Sequence, residues 1–248
     1  MSDTVAWPGH ARAAVSLSYD DARPSQLDNG LPIFSRHGVR ATFYISPPAA
    51  RQRLPAWRAA AAAGHELGNH SMTHPCSGNF AWSRNNALED RSLPDMEAEL
   101  LEATAFIKRE LSAPVNTYAY CCGQKHVGRG VHAQSYVPVV AKYFSVGRGF
   151  RDENFNDPTF CDLAQAYGID ADMASFDVLR GWIERATDAG GWVIFAAHDI
   201  ADGARQCMAP AVLEALCVYC ADPVNQIWID TVAAVGQHVH AAQWAAKH

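Results

Sequence analysis

Apolar positions along this chain switch repeatedly between two spacings. Runs that alternate, or are wholly apolar over a few residues, are followed by longer stretches in which apolar residues recur every three to four positions. Residues 12–19 (RAAVSLSY), 41–46 (ATFYIS), 65–70, 115–120, 143–146, 192–197 (WVIFAA) and 226–229 read as strands. Residues 27–37, 54–63, 94–111, 137–142, 176–189, 211–220 and 231–244 read as helices, with glycine stops at Gly38, Gly64 and Gly190. Pro94 opens one of them, and Asp95, Glu97 and Glu99 occupy its first turns, where the helix dipole favours anions. Residues 79–91 and 150–162 read as loops, the first long enough to be functional. Seven strands alternating with helices predict an α/β fold, a parallel sheet covered by helices, in one domain over residues 1–248.

Residues with chemical potential gather just past the strand ends. They are Asp20 and Asp21, His70 and His74, the Cys121-Cys122-Gly123 stretch, Arg148 between Gly147 and Gly149, and His198. Barrels of βα units keep their chemistry at that face, which favours a barrel over an open sheet. His70 and His74, four apart, can turn ring nitrogens toward one point, where a carboxylate would complete a divalent-metal site; solvated loop histidines are the plainer alternative. Two adjacent carboxylates can divide labour, one binding metal and one free as a base, although Asp20-Asp21 also suits an ordinary turn. His198, after a very apolar strand, is either a satisfied buried histidine or an acid/base group. His65-Glu66 is no zincin signature, because the next histidine is five residues on rather than four. Cys217 and Cys220 lie in a helical pattern and read as core packing, as do Trp57, Trp182, Trp192 and Trp228.

Composition narrows the class. The 248 residues are 49% hydrophobic with a net charge of −6 and scattered basic residues, so a large core is available and no nucleic-acid footprint is visible. No apolar stretch approaches the ~20 residues that span a bilayer. The polar first ten residues lack a signal-peptide pattern, which predicts a cytoplasmic protein, or a secreted one if a leader has been removed. Seven cysteines, an odd number, predict no disulfide framework.

In order, SYDDA, ATFYI, HELGNHSMTH, TYAYCCG and FAAHDI resemble the motifs of the polysaccharide deacetylases, the NodB-homology group of carbohydrate esterase family four. The resemblance runs from about residue 12 to about residue 239. It implies a distorted (β/α)7 barrel and metal-dependent hydrolysis of N-acetyl groups on amino sugars. Carried over motif by motif, Asp21, His70 and His74 would hold the metal, with zinc foremost and cobalt or nickel as alternatives. Asp20 would be the general base, His198 the general acid, and the Cys122 N–H an oxyanion donor, with Tyr120 beside it on the substrate side.

Three departures matter. Ala22 replaces a glycine, the family's third-motif arginine is missing at Ala119, and its Asp-Trp pair finds only poor matches at Asp172 or Asp177, so the partner of His198 is open. Arg148 ends a strand on the catalytic face, where Gly147 and Gly149 would let the backbone turn sharply, and is expected to reach across and pair with Asp20 instead. The expected partner is an N-acetylated carbohydrate. Two other readings stand beside it: an amidohydrolase acting on a small cyclic amide or ureide, and a barrel that keeps the site for carbohydrate binding alone. The sequence leaves oligomeric state open and gives no sign of a nucleic-acid or membrane partner.

Overall fold

The computed structural model describes residues 5–203 and 205–246; the first four residues of the leader reading lie outside it. Eight strands form one parallel sheet: β1 (Ala13–Tyr19), β2 (Thr42–Ile45), β3 (Glu66–Asn69), β4 (Thr117–Ala119), β5 (Val146–Arg148), β6 (Ile169–Asp170), β7 (Trp192–Ala197) and β8 (Ile227–Ile229). They run in the order β5-β4-β3-β2-β1-β7-β6, and β8 pairs with the first half of β1, through Ala13↔Ile227 to Val15↔Ile229. Beyond β5, Arg148 bridges in parallel to Ala166, and the Gly149 N–H donates to the Ala166 carbonyl at 2.7 Å. The segment entering β6 thus links the two ends of the sheet, which curls into a distorted (β/α)7 barrel.

Burial on both faces explains why β1 and β7 read as continuous apolar runs. In β1, Ala13, Val15, Leu17 and Tyr19 enter the larger core cluster, whereas Ala14 joins a second cluster with Trp192, Ile194 and Val235. Ser16 and Ser18 share the face of Ala14; Ser16 Oγ accepts from Trp192 Nε1 at 3.1 Å and Ser18 Oγ donates to the Phe195 carbonyl at 2.7 Å. Among the described residues, besides a single turn at Pro47–Ala50, seven longer α-helices pack outside: α1 (Leu31–His37), α2 (Leu54–Ala62), α3 (Leu93–Leu111), α4 (Val137–Tyr143), α5 (Phe176–Ala189), α6 (Pro210–Ala221) and α7 (Val232–Ala245). A capping box at Ser92 and Asp95 starts α3. Ser175 caps α5, which Gly190 ends at φ 73. Among the described residues no helix is long and apolar enough to cross a membrane.

Several local expectations are corrected. The fifth strand lies at Val146–Arg148, not 143–146, because Tyr143 closes α4 and its hydroxyl donates to Glu97. Ile169–Asp170 is a strand too short to show a period. Trp57 and Trp192 are fully buried, but Trp182 and Trp228 are only partly so. Cysteine parity misled as well: Cys76 and Cys122 form a disulfide, leaving five free thiols, with Cys217 and Cys220 buried on α6.

Candidate active site

Strand register sets the site. Tyr19 of β1 lies opposite Phe43 of β2 and Ala197 of β7, and Ile45 lies opposite Asn69 of β3, so the next residues emerge at one level. Those residues are Asp20, whose N–H donates to Ala197 O at 2.9 Å, His198, and His70, whose N–H donates to Ile45 O at 3.2 Å. Arg148 ends β5 opposite Ala119. Asp21, His74 and Cys122 follow in loops at φ 74, 52 and 53, a left-handed region that costs a non-glycine residue strain. Ala22, where a glycine would be at ease, also sits there at φ 53.

Two imidazoles and one carboxylate meet at the centre. Asp21 Oδ1 lies 3.5 Å from His70 Nε2 and 3.6 Å from His74 Nε2. Donors ~2.1 Å from a tetrahedral zinc stand about 3.4 Å apart, so these separations fit a divalent ion. His70 and Asp21 each have a partner that orients them. His70 Nδ1 donates to the Ala119 carbonyl at 3.0 Å, leaving Nε2 with its lone pair toward Asp21. Burial pushes the His70 imidazole down to about 4, against the pull of Asp20 and Asp21, so it is the neutral form a metal needs. Asp21 Oδ2 accepts from Arg23 at 2.9 Å, which keeps Oδ1 for the centre. Arg23 also donates to Asp199 Oδ2 at 2.7 Å. Cys121 Sγ lies within 4.8 Å of the ring nitrogens of both histidines, but burial raises its thiol to about 12 and it contacts Ser71 Oγ at 3.4 Å. It is a poor ligand beside a carboxylate. Cys76 and Cys122 also flank His74, with their sulfurs bonded to each other.

The remaining groups form two charged pairs. Arg148, fully buried, ion-pairs through Nη2 with Asp20 Oδ1 and donates from Nη1 to the Gly149 carbonyl at 2.8 Å. Its guanidinium lies 4.9 Å from the centre of the Tyr44 ring, a packing that glycine at 68 permits, since a Cβ there would stand 2.6 Å from that ring. Burial alone would raise Asp20; Arg148, with His70 and His198, overcomes this and holds the carboxyl at about 2. Asp20 Oδ2 is left facing the histidines, 4.0 Å from His70 Nε2. Gly147 and Gly149 do not serve a positive-φ turn. A Cβ at 147 would stand 2.4 Å from the Ala164 carbonyl, so close packing requires glycine there, whereas one at 149 would meet the Asp152 carboxylate at 2.3 Å, a side-chain end that can move.

Across the pocket, His198 Nδ1 bonds Asp172 Oδ2 at 2.6 Å, and its backbone N–H donates to Asp172 Oδ1 at 3.0 Å. Burial lowers His198, but the Asp172 bond and the charge of Asp20 outweigh it, and the imidazole titrates above its ordinary value. Asp172 was one of two poor sequence matches; the other, Asp177, is exposed on α5 beside Arg180. Tyr120 does not reach the pocket: it is fully buried and its hydroxyl donates to Ala164 O at 2.7 Å. Among the described residues the Cys122 N–H finds no acceptor, and Cys122 lines the pocket. Phe80 and Trp82 of the 79–91 loop line it too, their rings stacked 5.5 Å apart, with Phe150 and Arg151 also in its wall. Sequence reasoning missed Arg23 and Asp199, although each adjoins a residue it had singled out.

Fold and site together define a curled α/β barrel with a His/His/Asp centre and two further ion-paired acid/base candidates at its mouth. Residues 9–131 match the family model described as polysaccharide deacetylase. A chitooligosaccharide deacetylase of Sinorhizobium fredii is 32% identical over 106 residues, 42% of this chain and 44% of that protein. The chain therefore matches less than half of that relative's length. In fold it is similar to Puue allantoinase (TM-score 0.67, 13% identity, covering 96% of this chain and 93% of that one). It is likewise similar to the peptidoglycan deacetylase PdaC of Bacillus subtilis (TM-score 0.58, 13% identity, 95% of each chain). Over residues 9–131 the chain is thus similar to the polysaccharide deacetylase family.

Proposed function

We propose that this protein is a metal-dependent hydrolase that removes N-acetyl groups from amino sugars of an oligo- or polysaccharide. The observation that carries the reading is the convergence of Asp21, His70 and His74 between two separately ion-paired acid/base groups, Asp20 with Arg148 and His198 with Asp172. A pocket of about 410 Å³ lies over them, within the range that holds a small ligand or a sugar unit.

Asp21 Oδ1 and the two Nε2 atoms would hold the divalent cation, zinc by donor type. When bound, it supplies a Lewis acid that polarises an amide carbonyl and acidifies a water. Asp20, kept ionised by Arg148, would take a proton from the attacking water through Oδ2 while Oδ1 stays with the guanidinium. The Cys122 N–H, an unused donor in the pocket wall, would donate to the oxygen that gains charge. His198, protonated and oriented by Asp172, gives a proton from Nε2 to the departing amine nitrogen. The stacked Phe80 and Trp82 offer an apolar wall suited to a pyranose face. The test is acetate release from N-acetylated chitooligosaccharides against hydrolysis of small cyclic amides, with and without chelator. Turnover of the cyclic amides alone would overturn the sugar assignment, and chelator-insensitive turnover would overturn the metal.

A further inference from the structure

We propose that the Cys76–Cys122 disulfide is a positioning element of this active site, holding the Cys122 N–H and the His74 imidazole in register across the pocket. The inference rests on the deacetylase reading above. His74 and Cys122 lie on the loops after β3 and β4, and those two strands share a single paired position, Asn69↔Tyr118. Past that point no ladder fixes one loop against the other. Both loops also hold non-glycine residues in the left-handed region, Ser71 at φ 61 and His74 at φ 52 on one, Cys122 at φ 53 on the other. Such conformations persist only where the surroundings impose them.

One end of the bond is an anchor. Cys76 is fully buried; its N–H donates to Ser83 Oγ at 3.1 Å, and its carbonyl accepts from Ser83 Oγ at 2.9 Å and the Leu88 N–H at 3.0 Å. Its Sγ touches His74 Nδ1 at 3.6 Å. The other end, Cys122, lies in the pocket wall with its N–H unused. The disulfide, 46 residues apart in sequence and 6.3 Å between Cα atoms, therefore couples a fixed anchor, a metal-ligand candidate and an oxyanion donor. Apart from it, the same loops are joined only by non-covalent contacts among the described residues, including Ser77 N–H to Gln124 Oε1 at 2.6 Å and Cys121 Sγ to Ser71 Oγ at 3.4 Å and to the His70 carbonyl at 3.6 Å. Small displacements of such donors cost rate without abolishing binding.

The experiment compares the oxidised wild-type protein, the same protein reduced by a water-soluble phosphine, and the Cys76→Ser and Cys122→Ser variants. The phosphine is oxidised to its oxide with oxygen from water as both sulfurs become thiols, and mass spectrometry confirms two new thiols. Reduction is expected to lower kcat on chitooligosaccharides by at least about tenfold, in line with loss of an oxyanion donor, with KM within about twofold. Zinc should pass several-fold faster to a chromogenic chelator. Reoxidation with glutathione disulfide should restore both values in wild type and neither in the serine variants. A lowered melting temperature with unchanged kcat and unchanged zinc transfer would show a structural staple and overturn the proposal. If oxidised wild type releases no acetate, the deacetylase reading fails, while zinc transfer still reports whether the bond positions His74.

Discussion

Strand β3 is flanked by a histidine and an acid at one end and a histidine beside acids at the other, and the two ends differ in what those groups face. At its start, His65 Nδ1 accepts from the Ala41 N–H at 3.1 Å, and burial pushes that imidazole down to about 4. Its neighbour Glu66 is half-buried among neutral donors: the hydroxyls of Thr42 and Thr117, at 2.8 and 2.5 Å, and the Ala233 N–H at 2.9 Å. Burial raises Glu66, and these hydrogen bonds do not reverse it. At its far end His70 is pushed down equally, but it faces two carboxylates, and Asp20 has a guanidinium as partner. A buried acid with a full opposite charge stays ionised; one held by neutral dipoles drifts toward its protonated form. Residue type is the same at both ends, and the partner decides.

The largest expected effect that separates the two ends is on metal. His70→Ala should prevent binding of the proposed divalent ion and abolish turnover, whereas His65→Ala should keep both, as measured by elemental analysis of chelator-washed, zinc-reloaded protein. Equal metal in the two variants would erase the distinction between the ends.

Next come the acids. Asp20→Asn should retain metal and lose ~10²–10⁴-fold in kcat, because a base is removed but no ligand. Glu66→Gln should stay within about twofold of wild type, since no reacting group is near it. A large kcat loss in Glu66→Gln with normal folding by circular dichroism would place chemistry at the wrong end.

A smaller effect is expected in the pH–rate profile. Arg148→Lys removes the planar guanidinium beside Asp20, so the base should protonate at higher pH and the acid limb should move up. Asp172→Asn removes the bond that raises His198, so the required imidazolium is lost sooner and the alkaline limb should move down. Limbs that shift together in either variant would mean that the two pairs are coupled rather than separate.

The smallest effect is on stability, read by denaturant titration of metal-free protein. Asp20 titrates at about 2 in the folded chain against an ordinary 3.8, so it stabilises the fold above that ordinary value by on the order of 2 kcal/mol, and this is lost as pH falls through about 2. Glu66 has the opposite sign: raised from 4.5, it favours the fold when protonated, and that contribution fades as pH rises through its folded value. Glu66→Gln should therefore gain relative stability toward neutral pH, while Asp20→Asn should lose it.

Local pattern was enough to reveal the βα alternation, because periodicity and caps act over a few residues. It was also enough to point to Asp20, Asp21, His70, His74 and His198, since each directly follows or lies within a few residues of an apolar strand that delivers it to one face. The Arg148–Asp20 pair was anticipated from a missing cation, but its existence depends on β5 and β1 lying across one barrel, 128 residues apart in sequence. Asp172 gave no local signal: it follows a strand of two residues, and only the pairing of that strand with β7 brings it to His198. The disulfide was invisible for the same reason. Parity counts cysteines, whereas a bond forms only where the β3 and β4 loops bring Cys76 and Cys122 within reach. Tyr120 erred in the other direction, because its motif position suggested the pocket and the packing of β4 turned its ring inside. The sequence by itself determined which residue types stand at the strand ends, since hydrophobic periodicity is local; charge partners and covalent partners were decided by the tertiary structure, since they depend on distances that only the closed sheet creates.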